Sequence, residues 1–559
     1  MRHFSLVVLY MTMAGCAVFS GREIAPVRDM TLLPPPVLMD GIGNSRFPVT
    51  TRSREAQAYF NQGVSLVHGY WYFEAWRAFR EAARLDSSCA MAYWGIYQSR
   101  TGNNKNRKEK SSALKRAKAL ASNAGERERY YIGAIALLDS LGGREGRLAF
   151  IDKMGTLIER YPEDVEAKLF LVRFLMKNRK LDADSGGEAP SRKEILRNLL
   201  VSHPDHPAVH HYWIHTVEFK NPQAGLESAE KLPELCPNAG HLMHMPGHIY
   251  YRMGNYDKAR RSFVASFKVD STYMAQQNIP PARTWNYLHN LNYLVANCAE
   301  NGRYREGLQW ARVLQQVPLN LQRPITFFQG RLPLVRLQIR YGFWESAFES
   351  LSELVENDTL ATTFASDYCL GLRAYVSGMA AVEKGRLDEA ISRSEKLEEL
   401  NREIAARKKA ARGKFYSKRR KNFLSAISLD LQGNIHSIAG EHEQGFEVLE
   451  EAIEKKKTLG YSEPPLYSRP VLESLGSAHL RAGDFETARA AYARVMQERP
   501  GSGHALLGIA RSHAFGGQEV EAGAAYEDFL ESWVHADDDL PQVQEAREWL
   551  RTHGTGSAP

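Results

Sequence analysis

Nine of the 18 histidines fall between positions 203 and 289, where an even spread would put about three. They are His203, His206, His210, His211, His215, His241, His244, His248 and His289. His211, His215 and Glu218 follow an i, i+4, i+7 spacing, and His244 and His248 are again four apart, so on helices each group lies on one face. Imidazole pairs at that spacing present two nitrogens to one centre. Neutral imidazole suits Zn, Cu, Fe or Ni ions, and Glu218 would serve as a further ligand or as a general base for bound water. The same residues allow two other readings. They could line a groove with Tyr250, Trp285, Asn286 and Tyr287 and anchor a peptide, or they could be hydrogen-bonded packing residues. His203 and His206, beside Pro204 and Pro207, belong to a loop, and His210 faces away from His211.

The elements that position these histidines come from a recurring pattern. Gly63, Ala75, Phe79 and Ala82 are separated by 12, 4 and 3 residues. Gly247, Ala259, Phe263 and Ser266 repeat the spacing, as do Gly433, Gly445, Leu449 and Ala452, and Gly476, Ala488, Tyr492 and Val495. Small residues let two helices of a pair approach, and the large residue fills the gap between pairs. Gly254, Gly302, Gly342, Gly385 and Gly483 each precede an apolar residue by two and read as the turn after a first helix. The pattern resembles the tetratricopeptide repeat, a 34-residue helix-turn-helix. It covers roughly 55–88 and most of 205–535.

Several segments resemble one bacterial family of tetratricopeptide-repeat proteins: Ala56–Gly63, Cys89–Gly95, His211–His215, Ala239–Tyr250 and His289–Leu291. That family usually has Ser where Gly247 stands and His where Asn292 stands. The resemblance implies an α-solenoid and implies no reaction. With Gly247 at repeat position 8, His241, His244 and His248 occupy positions 2, 5 and 9 of a first helix, which such arrays turn into their concave groove. His289 counts back from Gly302 to position 2 of the next first helix. Neighbouring first helices run about 10 Å apart, so these side chains are expected to converge on one ion. Pro246 lies between His244 and His248 and predicts a kink there.

The rest of the sequence sets bounds. The chain has 559 residues, 43% hydrophobic and 25% charged, so it exceeds one ordinary core and is neither collagen-like nor wholly disordered. Strand alternation of useful length, a Gly-rich phosphate loop, a Ser elbow and a paired-Cys pattern are all missing from the sequence. The expected fold is therefore all-α, an α-solenoid of tetratricopeptide-type helix pairs. No residue is designated catalytic, and whether the chain is an enzyme stays open, with a binding protein favoured over an enzyme. Cys89, Cys236, Cys298 and Cys369 read as buried small hydrophobes.

Arg2 and His3 precede an apolar run from Phe4 to Met13 and then Ala14-Gly15-Cys16, which resembles a lipoprotein signal with Cys16 as the lipidated residue. The expected organisation is a signal peptide at 1–15, an extended Pro-rich tether at 16–50, N-terminal helices at 51–200, a His-rich segment at 201–330, C-terminal repeats at 331–535, and a last helix and tail at 536–559. A cell-envelope location follows, with an outer-membrane anchor facing the periplasm. From 402 to 421 ten Lys or Arg face Glu403 alone, a local excess larger than the whole chain's +7. The run is expected to extend one helix and to meet an anionic polymer or lipid, not nucleic acid. A second cluster, from Lys105 to Arg116, marks a loop and helix start. The partner expected in the groove is a protein or peptide, with a metal-binding protein or metalloenzyme as the alternative.

Overall fold

The computed structural model describes residues 33–553 except 101–103, 184–190, 319–323, 357–362, 407–413, 461, 463, 466 and 467. Among these residues the chain forms 27 α-helices and no strand. The four copies of the glycine spacing fall on successive helix pairs, among them Arg54–His68 with Tyr72–Leu85 and Gly240–Arg252 with Tyr256–Gln277. Their packing follows from the absence of a side chain on the first helix. A Cβ at Gly63 would lie 2.6 Å from Phe79, at Gly247 2.2 Å from Phe263, and at Gly476 2.8 Å from Tyr492. Two of these rings also meet a glycine of the following pair, Phe79 against Gly95 and Tyr492 against Gly508. All five turn glycines read from the sequence have φ between 66 and 79°, the left-handed conformation that ends a helix without a Cβ clash. The fold is an all-α solenoid of tetratricopeptide-type pairs.

One hydrophobic core runs from Ile42 to Val317 and a second from Phe327 to Ala505. A third joins the middle of the chain to its last helices: Val295, Ala299, Leu337 and Tyr341 pack with Leu507, Phe529, Trp533 and Val543. The array therefore turns back on itself. Trp533 Nε1 donates to the Glu300 carbonyl at 2.8 Å, the Tyr256 hydroxyl to the Pro500 carbonyl at 2.9 Å, and the Asp537 amide to the Gly302 carbonyl at 3.0 Å. Arg340 is buried at this junction, 3.0 Å from Glu300 and 2.7 Å from Glu473. The last helix, Pro541–His553, completes the closing face.

Residues 33–50 run extended, as the prolines imply, yet they lie against the body and do not stand off from it. Ile42 and Phe47 are buried. The backbone groups of this segment find side-chain partners: Gln62 accepts from the Met39 amide at 2.8 Å and donates to the Val37 carbonyl at 2.9 Å, and the Tyr59 hydroxyl donates to the Pro36 carbonyl at 2.8 Å. The signal segment, Cys16 and the start of the tether lie outside the described residues, as does the tail from 554. Helix Leu387–Ala406 reaches into the basic run at 402–421 from one side and helix Lys414–Ile438 from the other, and residues 407–413 between them lie outside the described residues. The cluster at 105–116 belongs to helix Asn104–Leu120. All four cysteines described are free and buried.

Candidate metal centre

Three helices and one turn supply the site. Helix Pro207–Val217 starts with proline at its first position, where no amide hydrogen is needed, and carries His211 and His215, with Glu218 as its C-cap. Helix Gly240–Arg252 carries His241, His244 and His248 and continues through Pro246. Helix Trp285–Cys298 brings Asn286, His289, Asn290 and Tyr293. The turn after Arg54–His68 closes the cluster, with Tyr70 at φ 55°, a left-handed conformation unusual for a bulky residue and of the kind found at functional sites. The Tyr70 ring stacks on His215 and His241, at centroid distances of 5.7 and 5.5 Å, and meets His211 edge-on at 4.6 Å. Trp285 Nε1 donates to the Tyr70 carbonyl at 2.7 Å and fixes the turn in place.

Five of the six imidazoles are oriented from behind. His211 Nδ1 lies 2.6 Å from the His68 carbonyl oxygen, which only accepts, so Nδ1 carries the hydrogen. His241 Nδ1 lies 3.0 Å from Asn286 Oδ1. The Asn286 amide is itself set, because its Nδ2 donates to Asp270 at 2.7 Å and to Ser266 at 3.3 Å. His244 Nδ1 meets Asn290 Oδ1 at 2.7 Å, and Asn290 Nδ2 donates to the Phe263 carbonyl at 2.8 Å. Glu218 accepts from two histidines at once, His215 Nδ1 at 2.9 Å and His248 Nδ1 at 2.6 Å. Five Nδ1–H groups thus end on oxygen, which leaves a lone pair at each Nε2 of the neutral rings.

Those Nε2 atoms face one another. His211 and His241 approach to 3.2 Å, and His244 and His248 to 2.7 Å. Two bare imidazole nitrogens at such distances repel unless a proton or a metal ion lies between them. A second proton, which would make a ring cationic, is disfavoured at His211, His241 and His244. Burial first, then the neighbouring histidines, holds His211, His241 and His244 well below the usual imidazole range, and the same causes bring His289 down to about 3. Burial alone would raise Glu218, but His215 and His248 beside it hold its carboxyl well below the usual range. Asp270, behind Asn286, is pushed up to about 7 by burial.

All seven residues singled out for metal binding, His211, His215, Glu218, His241, His244, His248 and His289, lie in this one region. Their donor atoms do not meet at a single point. They sort into His211, His215 and His241, and into His244, His248 and His289, with His215, Glu218 and His248 at the seam; within each group the donor atoms lie within 4.8 Å of one another. The convergence on one ion expected from helix spacing is corrected by this sorting, since His241 and His248 stand seven residues, about 10 Å, apart along helix 240–252 and their donors cannot reach one point. Trp285 and Asn286 join the site. Tyr250 does not: it is half-buried with the Lys258 ammonium over its ring at 5.4 Å. Nor does Tyr287, which stacks on Phe267. His210 is bonded elsewhere, to Ser228 and the Pro204 carbonyl. His206 is no solvated loop residue, because it lies half-buried 3.5 Å from Glu166.

The expected groove lined by accessible imidazoles is also corrected. His211 and His244 are 0% exposed, His248 1%, His241 5% and His289 6%; the Tyr70 turn covers His211 and His241, and Tyr293 packs on the other three. Sequence reasoning missed His68, Tyr70, Asp270, Asn290 and Tyr293. Asn286 and Asn290 carried a signal, the same i, i+4 spacing as His244 and His248 on the preceding first helix. Asn292, where the resembled family has His, takes no part here and lines a small pocket with Arg340 and Arg499.

Comparison with known proteins agrees with the helix pairs. Residues 241–273 and residues 474–541 each match a tetratricopeptide repeat model. These two stretches are tetratricopeptide repeats. The first contains His241, His244 and His248, so half of the histidine cluster is built on a repeat. No curated protein matches the chain in sequence. Among solved structures, the crystal structure of the P58(IPK) TPR domain aligns at 15% identity over 70% of this chain and 100% of that chain, with a TM-score of 0.21, at which the backbone overlap is slight. Tetratricopeptide repeats suggest a protein-interaction scaffold.

Proposed function

We propose that this protein binds transition-metal ions within its repeat array, through His211, His215, His241, His244, His248 and His289. The observation that carries the reading is the orientation of the rings: Nδ1 of five of them is held by an oxygen acceptor while the Nε2 atoms face each other. Metal-bound histidine has this arrangement, with one nitrogen on the ion and the other donating to a carboxylate, carbonyl or amide oxygen. Donor nitrogens on a tetrahedral zinc ion are about 3.3 Å apart, close to the His211–His241 separation. An imidazole-only donor set suits zinc or copper, with copper favoured by intrinsic affinity.

Elemental analysis of the purified chain tests the reading, beside a His244→Ala/His248→Ala variant. Zinc or copper at or above one ion per chain, reduced in the variant, is the expected outcome. Metal-free protein that also takes up neither ion on titration overturns it.

The repeats outside the cluster supply the interaction surface, and the partner class is a protein or peptide held away from the histidines. The N-terminal sequence supports export and lipid attachment at Cys16, which gives an outer-membrane anchor facing the periplasm; the basic run at 402–421 then meets an anionic polymer or lipid of the envelope. Among the described residues no helix is long and apolar enough to cross a membrane. Incorporation of labelled fatty acid that is abolished by Cys16→Ala supports the anchor, and incorporation unaffected by that change removes it.

A further inference from the structure

Resting on the reading of the cluster as metal-binding, its division into two sets leads to a more specific conclusion. His211, His215 and His241 close one set of three donors, and His244, His248 and His289 close another. The first joins helices 207–217 and 240–252, and the second joins helices 240–252 and 285–298. The sets are side by side. Rings face each other across the seam at 5.9 Å for His215 and His248 and at 5.8 Å for His241 and His244. Glu218 spans the seam, one carboxylate oxygen on a histidine of each set.

We infer that the protein holds a dinuclear centre: two adjacent transition-metal ions, each bound by three imidazoles, tied by Glu218 and open to one small anionic ligand. Three protein donors leave a fourth position on a tetrahedral ion. The charge count selects the ligand. Six neutral imidazoles offset none of the charge of two divalent ions, and Glu218 contributes one negative charge, so an anion is favoured in the open position. Size is limited by the roof. Tyr70 lies over His215 and His241, and Trp285 packs on His241 and His289 at 5.0 and 5.4 Å, a cover that excludes a peptide or nucleotide and restricts the ligand to a small anion.

The test loads the full chain with Cu(II) and measures copper per chain, the paramagnetic resonance spectrum, and the absorption change on adding azide. Two copper ions per chain, a spectrum broadened or weakened by coupling between them, and an azide-to-copper charge-transfer band are expected. The variants His211→Ala/His241→Ala and His244→Ala/His289→Ala should each retain one ion and give an uncoupled copper spectrum, with folding checked by circular dichroism. One ion per chain in the unaltered protein, with an uncoupled spectrum, overturns the dinuclear assignment and leaves the metal-binding reading intact. The absence of any bound copper overturns both. Two ions without an azide band overturn the open position. The spectrum of the unaltered protein decides between one and two ions even where a variant fails to fold.

Discussion

Replacement of Glu218 separates a carboxylate that organises the site from one that merely fills space. Glu218 is 3% exposed and accepts from His215 Nδ1 and His248 Nδ1 alike, one in each donor set. Loss of an outer partner of a metal-bound histidine costs about 10–100-fold in affinity, which corresponds to about 1.4–2.7 kcal/mol per site. Glu218→Ala removes both acceptors, so both affinities should fall by that factor. Glu218→Gln retains one carbonyl oxygen and turns an NH₂ toward the other ring. One histidine keeps its partner while the other meets a donor, so one affinity should stay near the original and the second should drop. Competition titration of zinc against a chromophoric chelator resolves the two steps, with circular dichroism as the control for folding. If Glu218→Ala binds at both steps within about threefold of the unaltered protein, Glu218 does not orient the ligands and the account of the ring geometry is wrong.

Three other outcomes follow from the packing. Arg340→Met should cost about 3 kcal/mol in urea denaturation, because the buried Glu300 and Glu473 lose their shared partner and keep only Arg499 and Arg469 respectively; a loss under about 1 kcal/mol would show that this junction does not hold the array closed. Gly254→Ala should destabilise more than Gly483→Ala. Both glycines have φ 78°, but a Cβ at Gly254 would lie 2.3 Å from the Pro500 carbonyl while nothing lies within 4 Å at Gly483, so the difference in melting temperature reports the closing contact, and equal losses would contradict it. Burial, and next Arg340, pushes His504 down to about 4, so the folded state favours the neutral ring while the unfolded chain takes up a proton near pH 6.5. The corresponding stability, about 3 kcal/mol, is present above pH 6.5 and is lost as pH falls from there through 4; urea midpoints that stay level across that window would refute it.

How far the sequence could be read depended on the range of the contact. Glycine and aromatic spacing within one helix pair is a local matter, so Gly63 with Phe79 and Gly247 with Phe263 were legible, as were the turn glycines. The shared face of His241, His244 and His248 followed from helix period alone. Contacts between distant pairs were not legible. His68 is 143 residues from His211, and no periodic pattern links the first turn to helix 207–217. The Tyr70 cover depends on a left-handed residue that carries no glycine to mark it. The separation into two donor sets depends on how three helices cross, which spacing does not encode. The closing face depends on the fit of Gly254 to Pro500 and of Gly302 to Ala536, shapes that appear only once both ends are folded.

The cluster also has an internal control against a purely structural role. A histidine kept for packing satisfies both ring nitrogens with protein oxygens, since a buried polar atom without a partner costs about 1–3 kcal/mol. Two histidines of this region do so. His210 bonds Ser228 and the Pro204 carbonyl, and His68 bonds the Tyr212 hydroxyl and Glu166. His211, His241, His244 and His248 differ in one respect: each gives one nitrogen to an oxygen and turns the other toward another imidazole. The same helices and the same degree of burial produce both kinds, so burial alone does not account for the difference. Facing lone pairs are a cost to the fold that a cation between them reverses. Substitution at His210 should therefore lower stability and leave metal uptake unchanged, whereas substitution at His241 should lower metal uptake first.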